Sequence, residues 1–192
     1  MSHWLTRQKL TERGIEAGEG ALVSSGALFF TTRLVIGPKT RIDHGCILTG
    51  DVVLGARIHL APYCICYGKA GILIGDYSGF GAFTVMHSES DDYSGASMFG
   101  PCVPANAKRN HVAPIRIGRG VITGTRTTIL PGVEIGDGVS VGAHSLVKAN
   151  CLPWMIYAGV PARAIRAKES TRLEAMMDCL DAGGDPWEML SR

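Results

Sequence analysis

Stepping by six from Ile36 lands on Ile42, Leu48, Leu54, Leu60 and Cys66, and after a two-residue slip the beat resumes at Ile74, Phe80 and Met86. Beyond an irregular stretch it returns at Ile117, Thr123, Ile129, Ile135, Val141 and Val147. The residue after each lead is often small, as at Gly37, Gly55, Gly75, Gly118 and Gly136, and the fifth position is compact or aliphatic: Thr40, Cys46, Val52, Ile58, Cys64. A helix would repeat near 3.6 and an amphipathic strand at two, so six fits only a short extended segment followed by a turn. In this reading the first and fifth residues point inwards, and the small residue between them lets the backbone bend where a β-carbon would obstruct. One unit buries too little alone, so successive coils must stack around a shared core. The expectation is an all-β solenoid of parallel strands with three flat sides, its coils about 4.8 Å apart.

The chain has 192 residues, enough for one domain with a proper core. A formal charge of +2 gives no ground for expecting nucleic acid or an acidic membrane as partner. No run approaches the roughly eighteen apolar residues of a membrane span, and the first residues, MSHWLTRQKLTERG, lack the apolar core of a secretory signal. A cytoplasmic location follows as an expectation. With no export signal, the six cysteines are expected as thiols. Cys64 and Cys66 have no second pair to complete a zinc site, and residue 105 is alanine where a zinc-deaminase signature needs a second cysteine, so no metal is expected.

The hexad pattern resembles that of the hexapeptide-repeat acyltransferases, over roughly residues 20 to 166. The resemblance implies a left-handed parallel β-helix, although general crossover preference favours the other hand. It also implies a homotrimer with sites between adjacent subunits. The flanks read differently. Residues 1–20 form a helical extension with Trp4, Leu5 and Leu10 available for packing, 21–166 the β-helix, and 167–192 a C-terminal helix. That last helix has Ser170 as N-cap and Leu173, Met176, Met177 and Leu180 at helical spacing.

The step from Met86 to Ile117 is 31 residues where the repeat uses six, an excess of 25 that makes an excursion over 87–114. A β-helix offers flat sides and few pockets, so such a loop is where a site is expected. His87 occupies the second position of its unit, where other coils mostly carry small residues, and stands at the mouth of the loop. An imidazole, with an ordinary pKa near 6.5, suits removal of a proton from an amine or hydroxyl attacking a thioester. Asp91 and Asp92 are candidate catalytic partners, orienting the imidazole or replacing it as base, and Glu89, Tyr93 and His111 are candidate acceptor ligands, His111 also being a reserve base. The spacing leaves the division of labour among the acids open. His44, His59 and His144 fall at outward or turn positions and are expected to be solvated.

The ending AGVPARAIR is similar to the closing coil of this family, where coenzyme A lies along the outer edge. Gly124, Gly142 and Ala143 would then leave room for the pantetheine arm and offer it amides, with Gly124 also a candidate oxyanion donor. Arg163, Arg166 and Lys168 suit the phosphates, and Pro161 the adenine. The loop SDDYSGASMFGPCVP, taken with this ending, resembles acetyltransferases of surface-polysaccharide (lipopolysaccharide) biosynthesis. The implied activity is acetyl-CoA-dependent N-acetylation of a nucleotide-linked amino-deoxy sugar, such as dTDP-4-amino-4,6-dideoxyglucose, by direct attack of the amine. The alternative is O-acetylation of a sugar hydroxyl. A zinc carbonic anhydrase of the same shape would need converging imidazoles that the spacing does not supply, and a non-catalytic trimer would bind no coenzyme A.

Overall fold

The computed structural model describes residues 3–190, and its core is the predicted solenoid. Cα partners across neighbouring coils sort the leading residues of the hexads into three inward columns. Ala17, Ile36, Leu54, Ile74, Ile117 and Ile135 stack on the first side. Val23, Ile42, Leu60, Phe80, Thr123, Val141 and Tyr157 stack on the second, and Phe29, Leu48, Cys66, Met86, Ile129 and Val147 on the third. Three hexads therefore make one coil. The leading residues from Ile36 to Val147 are buried, as are the fifth-position Thr40, Cys46, Val52, Ile58 and Cys64. Thr40 is satisfied inside, its hydroxyl donating to the Gly55 carbonyl at 2.8 Å and accepting from the Ile58 amide at 3.0 Å. All six cysteines are free thiols.

The small second residue has a different cause from the one the sequence suggested. A β-carbon on Gly37 would lie 2.3 Å from the Gly55 carbonyl oxygen of the next coil, so coil-to-coil stacking excludes it. The bends are made elsewhere, by residues in the left-handed region, many of which are not glycine: Lys39, Arg57, Tyr63, Tyr77, Phe83, Arg126, His144 and Trp154, all with φ between 55° and 63°. At one corner these side chains stack on each other. The rings of Tyr63 and Phe83 lie 5.1 Å apart and nearly parallel, and the Arg126 guanidinium sits 5.6 Å from the Phe83 ring.

The third corner is irregular. Strands Leu28–Ile36, Ile47–Leu54 and Ile65–Ile74 run across it, with register shifts between Thr31 and Arg33 and between Gly50 and Val52. The two-residue slip lies here, and one coil later the excursion leaves from the same corner. It departs after strand Val85–His87, and an antiparallel pair, Glu89–Ser90 with His111–Val112, closes its base before the coil resumes at Ile115–Ile117.

The flanks depart from the predicted boundaries by a few residues. Helix α1 spans Arg7–Glu12 and buries Leu10, and strand Glu16–Ala17 already pairs with Val35–Ile36, so the first coil begins before residue 21. At the other end Met155–Gly159 and Ala162–Ala167 form an antiparallel hairpin over the last coil, ending one residue past 166. Helices α2 (Thr171–Asp181) and α3 (Pro186–Leu190) follow. Ser170 makes no side-chain cap, and Glu169 accepts from the Thr171 amide instead, at 2.8 Å. Met177 is the buried residue of α2, set against Gly120, while Asp178 and Asp181 pair with Arg119 at 2.9 and 2.7 Å. No described helix is long and apolar enough to cross a membrane.

Candidate active site

His87 follows the buried Met86 on strand Val85–His87, so alternation turns its imidazole outwards. It is half-buried, and burial pushes its pKa below the ordinary histidine value, which keeps the ring neutral near pH 7. Its cross-strand partner one coil back is Tyr67, whose ring stacks on the imidazole with centroids 5.0 Å apart and planes 23° apart. The next residue, Ser88, is fully buried. Its amide and hydroxyl both donate to the Tyr67 carbonyl, at 3.0 and 2.9 Å, and its oxygen accepts from the Ala70 amide at 2.8 Å. No carboxylate reaches the imidazole among the described residues. Burial is the cause of its shift, and neither Asp91 nor Asp92 orients the ring within the chain.

The acids of the excursion have separate tasks. Glu89 accepts from the Asn110 amide group at 3.0 Å. Asp92 accepts from the Ser94 amide at 2.8 Å and the Ser97 hydroxyl at 3.0 Å, and these hydrogen bonds hold its carboxyl below the usual range. Both oxygens thereby take part in shaping the loop. Asp91 lies between two clefts. One of about 350 Å³ is shared with Lys69, Glu89, Lys108 and Asn110, and one of about 530 Å³ with Tyr93, Met98 and Phe99. Tyr93 is 92% exposed, and His111 is exposed opposite Ser90 in the base pair of strands.

At the end of the prism where the donor is expected, the hairpin sets Arg163 opposite Ala158, and Ala158 lies against Gly142. Gly142, Ala143, Pro161 and Arg163 therefore gather at one end of the prism. The amides of Gly124 and Gly142 already have partners. Their amides donate to the carbonyls of Val141 and Tyr157, both at 2.8 Å, and so are not free for a thioester oxyanion or a pantetheine arm. Their missing β-carbons face Ala143 and Ala158 of the following coil. Arg163 and Arg166 are exposed, but Lys168 turns inwards, its ammonium donating to the Gly138 carbonyl at 2.9 Å and lying 5.8 Å from the Trp154 ring.

The family profile described as bacterial transferase hexapeptide (six repeats) matches residues 114–149. The dTDP-4-amino-4,6-dideoxy-D-glucose acyltransferase of Escherichia coli is 32% identical over 180 residues, covering 90% of this chain and 94% of the relative. The chain belongs to the hexapeptide-repeat acyltransferases. A variant of AntD, an N-acyltransferase from Bacillus cereus, in complex with dTDP-4-amino-4,6-dideoxyglucose and coenzyme A superposes with a TM-score of 0.88 at 32% identity. That superposition covers 95% of this chain and 100% of AntD. A second AntD structure holds dTDP and 3-hydroxybutyryl-CoA, with the same TM-score and 32% identity over 95% of this chain and 99% of AntD.

The fold of this hexapeptide-repeat acyltransferase is a left-handed parallel β-helix, and its relative AntD binds coenzyme A and 3-hydroxybutyryl-CoA. Two residues that flank its histidine were not anticipated, Tyr67 and Ser88. A signal existed for the first. Tyr67 follows Cys66 as His87 follows Met86, and those two leads are one coil apart. Reading the pair requires knowing that the slip falls inside the coil between them.

Proposed function

We propose that the enzyme transfers an acyl group from acyl-CoA to the 4-amino group of a dTDP-linked 4-amino-4,6-dideoxyglucose. The likeness to AntD, whose structure holds that nucleotide sugar and coenzyme A, carries this reading. Acetyl is the simplest donor, and 3-hydroxybutyryl is the one bound to AntD. The amine attacks the thioester carbonyl, the new C–N bond forms as the C–S bond breaks, and no acyl-enzyme intervenes. The proton leaving nitrogen passes to His87, neutral because it is partly desolvated, and then to the departing thiolate. Asp91, with a cleft on either side, is assigned to the sugar together with Glu89, Tyr93 and His111. Ala143 and Pro161 are assigned to the pantetheine and adenine, and Arg163 and Arg166 to the phosphates. Asp92, Gly124, Gly142 and Lys168 are assigned structural roles.

The active assembly is a homotrimer in this reading. Leu28, Ile47, Ile65, Val85, Thr128 and Leu146 form an outward row, apolar but for Thr128, beside the row containing Phe30, Thr49, Tyr67 and His87. Covering that face with a second copy brings a neighbour's donor end towards His87. Both substrate classes are cytoplasmic metabolites, so the reaction belongs in the cytoplasm, in the supply of sugars for surface polysaccharide.

Thiol release from acetyl-CoA and 3-hydroxybutyryl-CoA, measured with the 4-amino sugar nucleotide and with its 4-hydroxyl counterpart, tests the reading. Turnover is expected with the amine and not with the hydroxyl, and activity on the hydroxyl alone overturns it. His87→Ala should lower kcat by about 100-fold or more.

A further inference from the structure

Tyr67 takes no part in the chemistry just described, yet it is the side chain that defines the environment of the histidine. The two rings are cross-strand partners on adjacent coils, stacked at 5.0 Å with planes only 23° apart, in the offset range that aromatic pairs prefer. The backbone beneath is fixed as well. The fully buried Ser88, immediately after His87, gives two hydrogen bonds to the Tyr67 carbonyl and receives one from Ala70. This lock sits where the regular coil ends and the excursion begins, the place where strand register would otherwise be weakest.

We infer that Tyr67 is a positioning residue for the acyl transfer: its ring holds the His87 imidazole at one angle and shields one face from water, while the Ser88 lock keeps the two strands in register. The inference rests on His87 being the base. Among the described residues, no charge is a cause of the lowered His87 pKa. Tyr67 is on one side, Leu130 follows Ile129 of the other neighbouring strand, and the nearest acid along the chain, Glu89, is taken by Asn110. The lowered histidine pKa comes from burial, as a covering ring would produce.

Substitutions at Tyr67 separate the ring from its hydroxyl. Tyr67→Phe keeps the stack and should hold kcat within about twofold, with the acid limb of the pH–rate profile unchanged. Tyr67→Ala exposes the imidazole and frees its rotation, so kcat should fall on the order of tenfold and the acid limb should move up towards the ordinary value near 6.5. Because Tyr67→Ala could unfold the corner, the histidine titration is also followed by NMR in the intact wild-type and Tyr67→Leu proteins, the His87 signal being assigned by its loss in His87→Ala. An upward shift of that one titration in Tyr67→Leu supports the inference without any assay. If His87→Ala is inactive but Tyr67→Ala and Tyr67→Leu leave both rate and titration unchanged, the role of Tyr67 is refuted and the base stands. If Tyr67→Phe falls as far as Tyr67→Ala, the hydroxyl matters and positioning by the ring is wrong. If His87→Ala keeps its rate, the assignment of the base fails first.

Discussion

Asp43 and His87 show burial acting on two titratable side chains with opposite outcomes. Burial of Asp43 disfavours its charge, but His59 at 2.8 Å and Arg41 at 2.7 Å outweigh that and hold its carboxyl below the usual range. His87 has no such partner and is pushed towards neutrality. A carboxylate with a depressed pKa stabilises the fold above its unfolded pKa, near 3.9, and loses that contribution as pH falls through the folded value. Asp43→Asn should therefore cost about 1–2 kcal/mol at pH 7, the modest end because both partners are half-exposed. Urea midpoints at pH 7 and pH 3 check this, and the gap between variant and wild type should narrow at pH 3. His59 had been read as solvated, because a histidine and an aspartate sixteen residues apart show no relation until the coil length is known. The same blindness hid Tyr67 beside His87. Single residues whose position in the hexad is unusual, such as His87, were legible, whereas their partners one coil away were not.

At the scale of elements, the excursion was visible as a break in the beat, and in the structure it lies between strands Val85–His87 and Ile115–Ile117. Its internal economy was not visible, because hydrogen bonds within an irregular loop follow no period. Asp92 shows the difference. Its carboxylate forms a tight turn with Ser94 and braces Ser97, whose oxygen in turn accepts from the Arg109 amide at 3.1 Å, linking the two arms of the loop. An amide oxygen can accept from the Ser94 amide just as a carboxylate does, so Asp92→Asn should retain activity within about fivefold, whereas loss of a general base costs about 100-fold or more. Asp92→Ala should raise KM more than it lowers kcat, since a slackened loop binds the acceptor less well. Steady-state kinetics of both variants decide the matter, and a loss of two orders of magnitude in Asp92→Asn would return that residue to the chemistry. The helix α2 teaches the complementary lesson. Four apolar residues at helical spacing pointed to a buried face, but only Met177 is fully enclosed. Polar attachments add to it, Arg119 pairing with Asp178 and Asp181 and the Tyr77 hydroxyl donating to Asp181, and contacts across 59, 62 and 104 residues leave no trace in a periodicity. Met177→Ala should lower the stability of the docked helix by about 2–3 kcal/mol, seen as accelerated amide exchange in α2 before any change in the coils.

For the whole molecule, the hexad beat sufficed to give the solenoid, because each lead residue must enter one of three columns and any other winding would expose them. The proposed homotrimer rests on the family resemblance and not on the beat. The row Leu28, Ile47, Ile65, Val85, Leu146 is spread over more than a hundred residues, and only the stacked register collects it on one outward face. A face of that length beside the row holding the proposed base, His87, suits the closed symmetry proposed above, in which every copy covers its neighbour. Ile65→Arg places a charge there without touching the core, so it should leave the circular dichroism of the coils intact, convert a trimer to monomers in sedimentation, and lower turnover by about 100-fold or more. Mixing makes the argument sharper. His87→Ala lacks the base and Arg163→Glu repels the donor phosphates, so each homotrimer should be nearly inactive. If a site joins His87 of one copy to the Arg163 end of its neighbour, dissociating and reassembling the two variants together restores roughly a quarter of the sites by random exchange. If each chain carries a complete site by itself, the mixture stays as inactive as its parts. The recovered rate in the mixture thus reads out whether the flat side of the prism becomes a catalytic cleft only when another copy closes over it.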